Sequence, residues 1–345
     1  MSAQFSPDGV IREIPNGLEM IHDDVTTIDL FAERGQIGKI PLYTKRPLAD
    51  GLERPVHDLF SGFYALRNTV TGEVLESPPV AKTYKLVDHG EVFQHQGNTI
   101  MDNASLPTGN LTVVDRLYEG GRKASRAVYF NDLTFDIDGK GDGITARADV
   151  VNSVDMSWAF QVFSGAYRDY CRNTMVFGGQ KAYQQKSKHT SGLSPSSMIA
   201  KANLGLDMFM NHREQMDAWR TIDLHPSQWT ELLENTVCRI AGNARELSSD
   251  KRTRVNGKLL DYLTFRFDKE QNELGRTMWA GYNALTHWAT HTKETWERPT
   301  EDGGFTTLQT GRETSKEFKV QHKRNADVRA VLESPQWRAL EGVAA

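Results

Sequence analysis

The residues of this chain best suited to chemistry fall between Asn152 and Thr190. The stretch opens with Asn152-Ser153-Val154-Asp155-Met156-Ser157 and continues through Trp158-Ala159-Phe160 to Arg168. It then runs through Cys171-Arg172-Asn173-Thr174-Met175 and closes on Lys188-His189-Thr190. Asn152, Ser153, Asp155 and Ser157 are turn formers whose side chains hydrogen-bond nearby backbone, so that element reads as strand-turn-strand. Arg168, Arg172 and Asn173 beside Tyr167 and Tyr170 put phosphate-seeking cations next to stacking rings, a combination that suits single-stranded nucleic acid. A solvated basic face is the other reading. Lys181, Lys186, Lys188 and His189 extend the pattern, and residues 165–201 carry six basic residues against Asp169 alone. Arg122, Lys123 and Arg126 form a second basic cluster. A third run, residues 239–258, has six basic residues against Glu246 and Asp250 but only Tyr262 nearby to stack.

Other chemistries are poorly served. His287 and His291 lie four apart, a spacing that puts both on one face of a helix, but Trp288 stands where a metalloprotease motif needs glutamate. No metal is assigned there, and the pair reads as a helix end favoured by the dipole. The run Asp136-Ile137-Asp138-Gly139-Lys140-Gly141-Asp142-Gly143 resembles a calcium loop, yet Lys140 and Arg147 occupy positions that should supply oxygen ligands. It reads as a hairpin turn. Phosphate-loop, dinucleotide and nucleophile-elbow motifs are absent, so neither a cofactor nor ATP-driven work is expected. Cys171 and Cys238 are the only cysteines, too few for a disulfide framework, and they read as reduced, buried thiols.

The elements that must position these residues follow from periodicity. Short β-forming runs at 63–70, 83–86, 111–118, 127–130 and 133–137, separated by turn residues, predict an antiparallel sheet. Residues 155–170 tilt towards strand, and 91–96 towards a short helix. Further on, apolar spacing predicts helices over 196–216, 228–241 and 274–291, with a short terminal helix over 326–340. The fold class is therefore α+β, an antiparallel sheet core with helices packed on one side. Three regions are expected: an acidic, Pro/Gly-punctuated arm over 1–60, a single core domain over 61–298, and a polar, basic tail over 299–345. The arm holds six basic residues against ten acidic ones, equal to the whole chain's net charge of −4, so the remainder is neutral but patchily basic. A hydrophobic fraction of 38% is enough for a real core. The start lacks signal-peptide organisation and no run is long enough to cross a bilayer, so a cytoplasmic protein is expected.

The ordered string of motifs resembles the phage/plasmid-like protein family, domain of unknown function 932. Members show an Asn-Ser-His-Asp-Gly-Ser element, then Arg and Cys-x-Asn, then a basic His-Thr element; Tyr84, Glu91-Val92-Phe93 and the 274–291 segment with Trp279, Asn283-Ala284 and Thr286 fit as well. Coverage is roughly residues 60–295. Val154 and Met156 stand where the family shows histidine and glycine. The resemblance implies a phage or plasmid setting, and for a phage-encoded protein the host cytoplasm. The leading expectation is a non-enzymatic protein that binds single-stranded DNA and assists replication or recombination by annealing strands. Its fold would resemble that of ring-forming annealing proteins, as a homo-oligomer alongside host or phage replication proteins. Two rivals stay open: a protein-interaction module working through the acidic arm, and a metal-dependent enzyme using residues such as Asp155 and His189.

Overall fold

A computed structural model describes residues 4–6, 9–15, 37–41, 44–47, 53–56, 63–118, 122–137, 143–168, 173–175, 184–207, 209, 211–241, 249–291, 294–299, 305–307 and 315–342. They form antiparallel sheets and helices, an α+β architecture. The strands are β1 (Gln4–Ser6), β2 (Gly9–Pro15), β3 (Ile37–Pro41), β4 (Thr44–Pro47), β5 (Glu53–Val56), β6 (Phe63–Asn68), β7 (Val80–Ala81), β8 (Asn110–Tyr118), β9 (Lys123–Asp136), β10 (Gly143–Ser153), β11 (Phe160–Arg168), β12 (Asn173–Met175), β13 (Gln184–Ser187), β14 (Glu294–Pro299) and β15 (Phe305–Thr307). The main sheet runs β1-β2-β8-β9-β10-β11-β12, with β13 also pairing β11. A smaller sheet has the order β3-β6-β7.

The chain divides into two compact units, Met1–Asp132 with Ala148–Phe163 and Gln184–Leu204, and Leu133–Arg147 with Ser164–Tyr183 and Gly205–Ala345. Strands β9, β10 and β11 each contribute residues to both.

In the first unit, helix α1 (His89–Met101) starts where Asp88 accepts a bond from the Glu91 amide, an N-cap that satisfies an otherwise orphan donor. Its Val92, Phe93, Gln96 and Ile100 face inward. Val92 and Phe93 join Val87, Ala124, Val150, Phe160, Val162, Leu193 and Ile199 in the unit's main core. Leu66, Val80 and Tyr84 form a second cluster under the small sheet, with Ile37, Tyr64, Leu75 and Leu86 against it.

The second unit is mainly helical. Its helices are α2 (Pro195–Asp207), shared with the first unit, then α3 (Asn211–Thr221), α4 (Pro226–Leu232) continuing through a π turn into α5 (Cys238–Ala241), α6 (Ser249–Leu274), α7 (Met278–Thr290), α8 (Ser315–Leu332) and α9 (Pro335–Leu340). Helix α7 is its centre, with every residue from Met278 to Ala289 buried. A helix apolar or small on all sides has no solvent face to present, so it must be surrounded. Gly281 allows that closeness, since a Cβ there would stand 2.8 Å from Leu224 Cδ2 and 3.2 Å from the Trp229 ring. Around α7, Trp219 packs on Tyr282 and, edge to face, on Trp337 at the start of α9.

Several elements differ from expectation for local reasons. Residues 83–86 leave β7 through a turn and do not form a strand; Lys39 Nζ donates to the carbonyls of Ala81, Lys82 and Tyr84 there. The runs 127–130 and 133–137 merge into β9, and the helix foreseen over 91–96 extends to thirteen residues. The helix foreseen over 196–216 is two, α2 and α3, and that over 326–340 breaks at Ser334-Pro335, where Ser334 caps α9. Strand β10 and helix α6 were not foreseen. Residues 144–150 of β10 do alternate apolar and polar, but the polar Thr145, Arg147 and Asp149 are buried along with their apolar neighbours, as are Asn152 and Ser153 at its end. The calcium-like loop's residues 138–142 lie outside the described residues.

Candidate functional site

Strand β10 ends at Asn152-Ser153, and the chain then turns sharply into β11. Asp155 Oδ1 accepts from the Ser157 amide at 3.0 Å and also from the Ser157 hydroxyl, an Asx turn. Ser153 Oγ closes the loop by accepting from the Trp158 amide at 3.1 Å and donating to the Trp158 carbonyl at 3.0 Å. Asn152 does something else. Its Nδ2 donates to the Val87 carbonyl and to His89 Nδ1, both at 3.0 Å, tying the strand to the entry of α1. Met156, at the tip of the turn, has φ of +65° and a side chain 42% exposed. This is the position where the family pattern has glycine.

Three sequence motifs converge on this turn within the first unit. Tyr84 donates its hydroxyl proton to the Ser153 carbonyl at 3.1 Å and stacks on His189 with ring centroids 5.1 Å apart. Burial, together with the Asp155 charge, pushes the Tyr84 phenol well up, so it stays a neutral donor. His189 is 5% exposed, and because its Nδ1 faces the Lys85 carbonyl at 3.2 Å, that nitrogen carries the proton. Its Nε2 is buried with no partner. Burial holds the imidazole below its ordinary value, partly offset by the Lys85 carbonyl and the Asp155 charge, so His189 is neutral at pH 7. Arg122, half-buried, places Nε 4.0 Å from Asp155 Oδ2, and its carbonyl accepts from the Val154 amide at 2.9 Å.

Around this polar centre two extended segments lie side by side. The Lys85 amide donates to the His189 carbonyl at 3.0 Å, and Lys85 Nζ to the Leu193 carbonyl at 2.8 Å. Residues 80–87 and 184–193 contain no acidic residue, and Lys82, Lys85, Lys186 and Lys188 on them are all exposed. Lys186 sits on β13, opposite Gln161 of β11.

The other expected site residues are placed differently. Lys123 is buried with Nζ 5.4 Å from the Trp158 ring centroid. Arg126 is buried in a bidentate pair with Asp115, both contacts 2.7 Å, and its guanidinium lies over the Phe93 ring. Both face into the first unit. In the second unit Arg168 is 3% exposed, donates to Asn283 Oδ1 at 2.6 Å and lies 5.7 Å from the Trp279 ring centroid. Tyr167 is half-buried beside it, and Asn173 pairs with Arg168 across β11 and β12. The Asn173 side chain, Tyr170, Cys171, Arg172 and Lys181 lie outside the described residues. The structure therefore links His189 and Arg122 through Asp155, carries Lys186 and Lys188 on the segment that leads to His189 in the first unit, and places Arg168 and Tyr167 in the second.

Lys82, Lys85 and His89 belong to the site although charge counting along the chain missed them. The signal was there: two acid-free segments each carrying two lysines. They stand 104 residues apart at the Lys85–His189 contact, so only the fold adds them up.

Among the described residues no group of three or more His, Cys, Asp or Glu side chains could hold a metal ion. His287 and His291 stack at 4.1 Å, with the Tyr262 hydroxyl 3.2 Å from His287 Nδ1. Burial, then the neighbouring His291 and Arg266 charges, hold His287 far below its ordinary value. Cys238 is a buried thiol pushed up to about 11 by burial and the Glu234 charge, which leaves it protonated and unreactive at neutral pH. No helix among the described residues is long and apolar enough to cross a membrane.

Fold and site thus define an α+β protein of antiparallel sheets in which a buried His-Tyr-Asp-Asn cluster underlies exposed lysines. The chain belongs to the family described as Domain of unknown function (DUF932), whose profile matches residues 79–306, including every residue of that cluster. No curated protein and no solved structure matches it.

Proposed function

We propose that the chain binds single-stranded nucleic acid through the lysine-bearing face of its first unit, in the service of replication or recombination of a phage or plasmid. Strand annealing is the activity that fits, since it needs neither metal nor nucleotide hydrolysis. One observation carries the reading. Four exposed lysines, Lys82, Lys85, Lys186 and Lys188, stand on two hydrogen-bonded segments that contain no carboxylate to neutralise them. Such a patch attracts phosphates regardless of base sequence. The chain's net charge of −4 does not oppose this, because at physiological salt charges more than about 8 Å away are largely screened. The buried cluster beneath supplies rigidity: Tyr84, His189, Ser153 and Asn152 fix the two segments and the turn.

Fluorescence anisotropy with a labelled single strand, a duplex and an RNA oligonucleotide at several salt concentrations tests the proposal. Single-strand binding should weaken with a slope of about −3 in log K against log salt, at roughly −0.7 per phosphate contact for four lysines. Replacing Lys82, Lys85, Lys186 and Lys188 with alanine should flatten that slope. No binding at low salt, or a flat response in the unmodified protein, would remove the reading.

A further inference from the structure

We infer that Phe63 is the platform on which a base of the bound strand stacks, so that this residue sets the preference for single strands over duplex. The inference rests on the reading above. Of the large apolar side chains exposed among the described residues, Phe63, Val70, Val74, Met101 and Met156, Phe63 is the one aromatic, and it is 52% exposed. The unit's other described aromatic rings are mostly turned inward: Tyr84, Phe93, Tyr118, Phe130, Trp158 and Phe160 are all buried.

Its place in the fold gives the exposure a meaning. Phe63 opens β6 and pairs with Ala81 of β7, so it stands beside the residue that precedes Lys82. Lys39 makes this corner rigid: its ammonium donates to the carbonyls of Ala81, Lys82 and Tyr84 and lies 5.8 Å and 5.7 Å from the Tyr64 and Tyr84 ring centroids. The ring is thus carried by the strand paired with the segment that bears Lys82 and Lys85, and that segment is bonded in turn to the one bearing Lys186 and Lys188. An aromatic face beside phosphate-binding cations is the arrangement that holds an unstacked base, and it tolerates any base because every base has a π-face. A duplex keeps its bases stacked on one another and cannot use the ring.

The experiment compares the full chain with Phe63→Ala and Phe63→Trp, using an oligothymidylate, an oligouridylate and an oligonucleotide of abasic sites. Phe63→Ala should bind both base-bearing strands roughly tenfold or more weakly with an unchanged salt slope, while affinity for the abasic strand stays as in the unmodified protein. Phe63→Trp should keep its affinity and show emission quenched by the base-bearing strands alone. If the unmodified protein binds but Phe63→Ala binds the base-bearing strands as tightly, or the abasic strand binds as well as they do, the inference falls and the proposed function stands. If Phe63→Ala loses affinity together with salt slope, the ring was only shaping the lysine patch, and the inference also falls. If the unmodified protein binds no strand, the proposed function falls and takes the inference with it. The abasic strand tests base stacking without any substitution and the Phe63→Trp emission places that stacking at residue 63, so the test holds whether or not Phe63→Ala folds.

Discussion

Met156 shows how one residue can carry a cost that its neighbours impose. At φ of +65° an L-residue brings its Cβ against the backbone, a conformation that costs of order 1 kcal/mol for any side chain but glycine. The turn tolerates it because the Asp155–Ser157 bonds and the Ser153–Trp158 pair hold the loop from both sides. The side chain itself is exposed and packs little. Met156→Gly is therefore expected to raise stability by up to about 0.5 kcal/mol, the relief of strain outweighing the extra freedom of the unfolded chain. Urea denaturation measures it, and a loss of stability would show that the Met156 side chain makes a contact worth more than the strain. Some of this scale was legible beforehand. The turn-forming role of Ser153, Asp155 and Ser157 followed from their types, whereas Asn152 reaching to His89 did not, because its partners lie 63 and 65 residues away.

At the scale of elements, Arg168 joins β11 to α7. Its guanidinium, buried between the strand end and the helix, donates to Asn283 Oδ1 and lies over Trp279, while Asn283 Nδ2 donates to the Trp279 carbonyl. Glu270 on α6 feels the Arg168 charge as well as that of Arg266. Arg168→Ala should accordingly lower stability by a few kcal/mol, since it opens a cavity and strips a buried amide and a nearby carboxylate of their cation. Thermal unfolding followed by circular dichroism reads this directly; an unchanged midpoint would mean that Arg168 is exposed in solution and available to a ligand. Sequence reasoning could see that residue 168 was a cation among aromatics but not which way it faced. Surface arginine and buried arginine look alike until the partner, here Asn283, is brought to it by the fold. Helix α7 was legible because its apolar spacing is complete. Helix α6 was not, because its leading residues 249–258 are so charged that they read as a basic run.

For the whole molecule, buried imidazoles set the response to acid. His189 and His287 are both held below their ordinary value of 6.5, chiefly by burial. In the unfolded chain they take up protons as pH falls through that value, and in the folded chain they resist. The unfolded state then binds more protons, so stability declines below about pH 6.5, by up to about 1.4 kcal/mol per pH unit for each fully resisting group. Asp88, Glu270 and Asp327 have raised values and act in the opposite sense, gaining stability as pH falls further into the carboxylate range. A urea midpoint that drops between pH 7 and pH 5.5, with a shallower drop in His189→Asn, is the expected outcome. A flat profile would mean that these rings are hydrated.

The division of the chain has a further consequence, for synthesis. Each unit is assembled from three separate stretches, the first closing only with 184–204 and the second opening as early as residue 133. A nascent chain leaving the ribosome has to hold the beginning of both units unfinished at once. The first cannot complete its contacts until residue 204 has emerged, by which time two pieces of the second are already outside without the helices that follow. No cut at a single peptide bond separates the two, and a premature stop within 133–204 leaves both units incomplete.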